Sequence, residues 1–146
     1  MSEIVYEKNP AALPRDAVLA LYEGLGWTTY TRDPDKLMRA IQGSHHVVAA
    51  WDGQTLIGLT RCVSDGETIA YIQDILVAES HQRRGIGRRM LTRSLDHYGD
   101  IRQKVLLTDD RPEQRAFYTS LGFSNTRELV RTPLNAFVRF EGVELG

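Results

Sequence analysis

Residues 81–90 read HQRRGIGRRM, one histidine and four arginines set around Gly85 and Gly87. These residue types can bind an anion. The start of a helix offers N–H groups and the positive end of the helix dipole. Glycines lacking Cβ let a phosphate approach the backbone closely. A nucleic-acid patch, a dinucleotide loop and a cradle for another phosphate all use such residues. The charge of the whole chain bears on the choice: 18 basic residues face 19 acidic ones, for a formal net charge of −1. A nucleic-acid-binding domain usually carries a basic excess over a face, so no nucleic-acid partner is expected and the local arginines fit a small anionic ligand. The competing reading is a solvated basic turn whose glycines serve only its dihedrals. A P-loop, GxxxxGK[ST], is absent. In GIGRRM, Met90 stands where the dinucleotide motif needs a third Gly or Ala, and a hairpin meander precedes the stretch where that motif follows a first βαβ unit.

The elements around the stretch follow from periodicity. EIVYEKN is a short strand. LPRDAVLALYEGLGW carries Pro14 near a helix start, Val18, Leu19, Tyr22 and Leu25 at helical spacing, and Gly24 and Gly26 at its end. DPDKLMRAIQGS offers Asp33 as N-cap, Pro34 at the first helical position and Gly43 as a stop. The period then changes. HHVVAAW, QTLIGLTRCVSD and TIAYIQDILVA are strand-like runs separated by DGQ and DGE, which signal hairpins and an antiparallel meander. RRMLTRSLDHYG is a helix with Met90, Leu91, Leu95 and Tyr98 on one face. KVLLTD is a buried strand, PEQRAFYTSLGF a short helix, AFVRFEG a last strand, and SNTRELV a further candidate. The order predicts a mixed sheet in which the ILVA and KVLL strands flank a crossover helix and run parallel.

Composition bounds the class. With 146 residues, 42% apolar and 25% charged, one soluble domain spanning 1–146 is expected. A single cysteine, Cys62, allows no intrachain disulfide and no cysteine-based zinc site. It suits a reducing compartment, and mid-strand it reads as a buried structural residue. MSEIVYEKNP lacks a basic and apolar leader, and no apolar run approaches the ~20 residues that span a bilayer. A cytoplasmic protein with no membrane partner and no metal is the expectation. His45 and His46, adjacent at a strand start, read as surface or capping residues, and His81 as solvent-facing.

ILVAESHQRRGIGRRML resembles motif A of the GNAT superfamily of N-acetyltransferases, [Q/R]-x-x-G-x-[G/A], with Gln82, Gly85 and Gly87 in the defining positions. RAFYTSLGF resembles the family's FY and GF signature, and the element order is the family's order. The resemblance covers nearly the whole chain and points to the small single-domain bacterial type. It implies an α/β fold with a mixed, mostly antiparallel central sheet of six to seven strands flanked by about four helices. It implies acetyl-coenzyme A as acetyl donor and direct attack by a primary amine. By matching positions, the backbone of Arg83, Arg84, Gly85, Ile86, Gly87 and Arg88 would hold the pyrophosphate, with Gln82 in the motif. The backbone of Ile75, Leu76 and Val77 would pair with the pantetheine arm, and the Ile75 N–H would meet the acetyl oxygen. Arginine side chains could reach the 3′-phosphate or remain solvated.

For chemistry, Tyr118 matches the tyrosine that protonates the leaving sulfur; a packed helix-face aromatic is the bland reading. The fourth-strand base positions hold Tyr71 and Gln73, which are poor bases. Asp74 lies next to them, and period-2 alternation turns it to the opposite face unless a bulge re-aims it. IQDILV is similar to the EDVVV-type strand of glucosamine-6-phosphate N-acetyltransferases, which has an acidic residue there. A water chain, or an amine that deprotonates in solution, is the alternative. On the acceptor side, GLGWTTYTRD places Trp27 and Tyr30 as a wall for an amine, with cation–π contact, or as loop anchors in the core. Similarity to plant-type serotonin N-acetyltransferases makes an arylalkylamine an acceptor to consider beside amino sugars, polyamines and protein amines. A homodimer through the late strands is a further implication of the resemblance. A non-catalytic acyl-coenzyme A sensor on the same fold is the alternative function.

Overall fold

Two Asp-Gly turns build the centre of the sheet. Gly53, in the two-residue β2–β3 connection, and Gly66, in the four-residue β3–β4 connection, take φ of 60° and 78°, the left-handed region that favours glycine. Asp65 Oδ1 accepts the N–H groups of Glu67, Thr68 and Ile69 and holds the second turn closed. The turns join β2 (His46–Asp52), β3 (Thr55–Ser64) and β4 (Ile69–Val77) into the expected meander. β1 (Ile4–Lys8) adds antiparallel to β2. After α4 (Ile86–His97), β5 (Gln103–Leu106) adds parallel to β4, as a crossover connection demands. The sheet order is β1-β2-β3-β4-β5.

These are features of a computed structural model that describes residues 3–146. Its contacts group the chain into two compact units, Met1–Leu107 and Thr108–Gly146. In the first, α1 (Arg15–Gly24), the four-residue α2 (Thr28–Thr31) and α3 (Pro34–Gln42) cover one face of the sheet. Asp33 caps α3 by accepting the Lys36 N–H at 3.2 Å, and Pro34 follows it at the first helical position. Val18, Leu21, Tyr22, Leu37 and Ile41 from these helices pack on Val47, Ala49, Leu59 and Leu76. The amphipathic α4 covers the other face, burying Ile86 and Met90 against Val48, Ala50 and Ile57. Gly58 makes the close approach possible: a Cβ there would lie 3.0 Å from Met90 Cε and 3.1 Å from Ala50 Cβ.

The second unit contains α5 (Pro112–Ser120), which starts at the expected proline and ends before Gly122 at φ 91°. Arg115 and Arg127 both pair with Asp110 within it. Two expected strands do not form. Residues 124–130 hold a short 3-10 turn, Thr126–Glu128, and 136–142 take no regular structure. Their residue types suit a strand, but a strand needs a paired ladder, and the described residues pair neither segment. The sheet therefore has five strands where six to seven were expected, with five helices, and remains mixed and mostly antiparallel.

Candidate active site

The site begins where β4 and β5 part. β5 pairs with β4 only from Ile69↔Gln103 to Ile72↔Leu106. β4 runs on to Val77, and from Gln73 onward only β3 pairs with it. The backbone of Ile75, Leu76 and Val77 thus has one edge taken by β3 and one edge that no strand of the described residues covers. An extended chain can add to such an edge by main-chain hydrogen bonds. Gln82 Nε2 donates to Val77 O at 3.0 Å, so the motif glutamine braces the end of β4 against the turn that follows.

That turn leads through a 3-10 turn, Glu79–His81, to the start of α4. Arg83 takes φ 63° and Gly85 takes φ 80°. A Cβ on Gly85 would meet nothing within 4 Å, so its dihedral and not crowding calls for glycine there. Gly85 is the N-cap and supplies no side-chain cap. The first-turn N–H groups of a helix lack intrahelical acceptors, and left-handed residues beside them curve the backbone into an anion-accepting hollow. Ile86 anchors this start, its side chain buried under the sheet, so the turn offers backbone rather than side chain at that position. Arg83, Arg84 and Arg88 are exposed. His81 is not solvent-facing as expected: its Nε2 lies 2.8 Å from Asp52 Oδ2 and its Nδ1 2.7 Å from Ser80 Oγ, tying the turn to the β2–β3 hairpin. The fit to a pyrophosphate followed by a strand-like arm is therefore good.

On the α1 face of β4 the register slips between Arg61 and Cys62, and Gln73 becomes the extra residue. Tyr71 pairs with Val63 and Asp74 with Arg61, two residues apart on β3 and so on one face. The bulge thus brings Tyr71 and Asp74 together despite their odd spacing. Gln73 joins them, because its Nε2 donates to Tyr30 Oη at 3.1 Å.

Asp74 itself is 2% exposed. Its Oδ1 accepts from Tyr30 Oη at 2.9 Å, and its Oδ2 accepts from Tyr22 Oη at 2.9 Å and Arg61 Nε at 2.5 Å. Burial opposes the Arg61 charge, but the Asp74 carboxylate outweighs it and holds the guanidinium above its ordinary pKa. Burial first, then the Asp74 charge, pushes Tyr22 and Tyr71 up. Tyr30 is also raised, by burial first, with the Gln73 hydrogen bond opposing and Asp74 adding. Of the three partners of Asp74, Tyr22 and Arg61 are buried and Tyr30 is half-buried. Sequence reasoning missed Arg61 and Tyr22. The available signal was a lone arginine inside the apolar run LTRCVS.

Trp27 stacks on Tyr30 at 6.1 Å and meets Tyr22 edge-on at 5.9 Å, packed against the core. The Tyr30 ring carries Arg61 Cζ 5.9 Å from its centroid, so its cation–π contact is internal. Cys62 is buried, and burial pushes its thiol up to about 11, which suits the structural reading. In the second unit, Tyr118 is half-buried and packs edge-on against Phe117 and Phe123 at 5.1 and 6.0 Å. Burial raises its pKa, with a Thr108 hydrogen bond opposing. Among the described residues no cluster of His, Cys, Asp and Glu could hold a metal, and no helix is long and apolar enough to cross a membrane.

Known proteins share this fold. An acetyltransferase of Streptococcus pneumoniae described as a GNAT family protein superposes with a TM-score of 0.76 at 28% identity, over 94% of this chain and 100% of that one. AAC(6′)-Iy, solved with a bisubstrate analogue, CoA-S-monomethyl-acetylneamine, gives a TM-score of 0.68 at 13% identity over 92% and 100%, a likeness of fold alone. The mycothiol acetyltransferase of Kineococcus radiotolerans is 32% identical over 132 residues, 84% of this chain and 43% of its own length. The chain spans 65% or less of the length of the curated relatives it matches. The model of the acetyltransferase (GNAT) family matches residues 15–123, more than half of the sequence. The chain therefore belongs to the GNAT acetyltransferase family, and the match runs from the first turn of α1 through Phe123.

Proposed function

We propose that this protein transfers an acetyl group from acetyl-coenzyme A to a primary amine by direct attack in a ternary complex. The observation that carries the reading is the continuity of the uncovered β4 edge, Ile75 to Val77, with the left-handed turn at Arg83 and Gly85. It supports a ligand with an amide-bearing arm and a pyrophosphate, and the family uses acetyl-coenzyme A. The thioester supplies an activated acyl group. Main-chain groups of Ile75, Leu76 and Val77 would pair with the arm, the Ile75 N–H would steady the acetyl oxygen as it gains charge, and the N–H groups from Arg83 to Arg88 would hold the pyrophosphate.

The amine nitrogen attacks the carbonyl carbon, an N–C bond forms and the C–S bond breaks. By the family resemblance Tyr118 would give its proton to the departing sulfur, and burial, which raises its pKa, favours the protonated phenol. The proton of the amine leaves through Tyr30 to Asp74. The carboxylate is buried, and Tyr30 is the partner that reaches outward from it. Trp27, Tyr30, Tyr71 and Gln73 form the acceptor side. A cytoplasmic location fits the single buried cysteine. Exposed Val130, Leu134, Phe137 and Phe140 support a homodimer through the C-terminal segment.

The test is thiol release from acetyl-coenzyme A with an arylalkylamine, an amino sugar and a polyamine, run with wild type and Tyr118→Phe. The expected result is acetylated amine equal to thiol released, with Tyr118→Phe losing turnover while binding acetyl-coenzyme A unchanged. Tight binding with no transfer to any amine would favour the non-catalytic sensor. A protein that does not bind acetyl-coenzyme A would overturn both.

A further inference from the structure

A second polar site lies on the α4 face of the sheet, away from the residues assigned above. A cavity of about 60 Å³ is lined by Tyr6, Glu7, Lys8, His46, Val48 and Arg93. That is several times the roughly 10–15 Å³ that one water needs, the scale of one small oxyanion. His46, expected at the surface, is 1% exposed. Its ring stacks on His97 at 4.1 Å. Its Nε2 and Tyr6 Oη are both buried without a hydrogen-bond partner, two of the three such side-chain atoms among the described residues. Buried polar groups are ordinarily paired, so two orphans among the lining residues of one cavity call for a ligand.

The charges agree. Lys8 and Arg93 form no ion pair with a carboxylate among the described residues; Arg93 lies with Cζ 4.7 Å over the Tyr6 ring. Glu7 is the one acid of the lining. It sits between Tyr6 and Lys8 on β1, so alternation turns it to the other face, where its Oε1 accepts from Trp51 Nε1 at 3.2 Å. The protonation of His46 narrows the choice of anion. We assign the ring proton to Nδ1: Ser94 Oγ then accepts at the 3.4 Å contact while donating to Met90 O, and Nε2 is an acceptor. Burial, then the charges of His97, Lys8 and His45, lowers His46 to about 4, so the ring is neutral at pH 7. The site therefore offers three donors, Lys8 Nζ, the Arg93 guanidinium and Tyr6 Oη, together with one acceptor.

We propose that this cavity binds inorganic hydrogen phosphate, whose oxygens accept from Lys8, Arg93 and Tyr6 while its remaining P–OH donates to His46 Nε2. Sulfate has the same shape and no proton to give. A phosphomonoester dianion likewise lacks it. The site is separate from the acetyl-coenzyme A reading and stands or falls without it.

The experiment is a titration of the full chain at pH 7.5 with sodium phosphate, sodium sulfate and methyl phosphate, read by the ¹⁵N shift of the His46 ring nitrogens. Phosphate should move Nε2 saturably, and sulfate and methyl phosphate should bind at least tenfold more weakly. Lys8→Met, at an exposed strand position, should weaken phosphate at least tenfold, and Tyr6→Phe should weaken it while leaving the ring over Arg93 in place. An unmoved Nε2, equal responses to phosphate and sulfate, or full affinity in both variants would each overturn the proposal.

Discussion

The two faces of the sheet each bury a polar cluster, and the clusters are built in opposite ways. Toward α1, Asp74 shares its two oxygens among Tyr22, Tyr30 and Arg61, and Gln73 adds a fourth contact through Tyr30. Toward α4, His46 and Tyr6 keep buried atoms without partners, and so does Thr60 Oγ1. Asp74 and Arg61 lie on β4 and β3, Tyr6 and His46 on β1 and β2, and only Thr60 adjoins Arg61 on one strand. What separates them is whether a charge is buried: Asp74 and Arg61 are, whereas Lys8 and Arg93 are exposed. A carboxylate cannot be buried alone, so the Asp74 face had to be completed within the chain, with an arginine and two phenols. A neutral imidazole and a phenol tolerate incomplete bonding at a lower cost and leave room for a partner from outside. A completed network fixes geometry, which suits a site that positions reacting groups; an incomplete one suits recognition.

The largest expected effect tests the completed side. Arg61→Met strands the Asp74 charge and should cost about 3–5 kcal/mol in denaturant unfolding. His46→Leu on the opposite face removes an orphaned polar atom and should change stability by about 1 kcal/mol or less. Equal losses in the two would erase the contrast. Next, Tyr30→Phe keeps the ring on Trp27 but cuts the link from Asp74 to the outside. Turnover should fall about 10²-fold at neutral pH, and the deficit should narrow as pH rises, because the amine then arrives deprotonated. A pH-independent deficit would make Tyr30 a packing residue. A smaller effect is expected at the turn. Gly85→Ala must hold φ near 80° and should lose about 1–2 kcal/mol, with weaker acetyl-coenzyme A binding in calorimetry. The smallest effect is a slope. Burial lowers His46 to about 4, below its ordinary value of 6.5, so the unfolded chain takes up the proton first. Native stability from this group is complete above pH 6.5 and declines as pH falls toward 4. His46→Leu should flatten the Tm-against-pH curve in that window and leave it unchanged above.

Much of the first unit was legible in the sequence because its signals are local. Asp33-Pro34, Asp52-Gly53 and Asp65-Gly66 each mark a cap or turn with a stated backbone requirement, and alternation marks the strands between. The left-handed turn before α4 was legible for the same reason, since Gly85 sits at a φ that disfavours other residues. Properties that depend on distant partners were not. The bulge at Gln73 arises from the register against Arg61 and Cys62, and one extra residue leaves no mark in composition. The possibility that a bulge re-aims Asp74 could be stated, but not that Arg61 and Tyr22 would enclose it. His46 looked like a surface residue because its burial comes from α4, some 50 positions along the chain (the His46–Ser94 contact spans 48). The late strands failed for the converse reason. AFVRFEG has strand residues, and a strand also needs a neighbour to pair with.

Hydrogen exchange with and without acetyl-coenzyme A tests the central claim most directly, because it reads the backbone groups on which the assignment rests. The account predicts new protection in two segments together, the amides of Ile75 to Val77 on β4 and those of Arg83 to Arg88 at the start of α4. Protection confined to other segments, or none at saturating acetyl-coenzyme A, would contradict it.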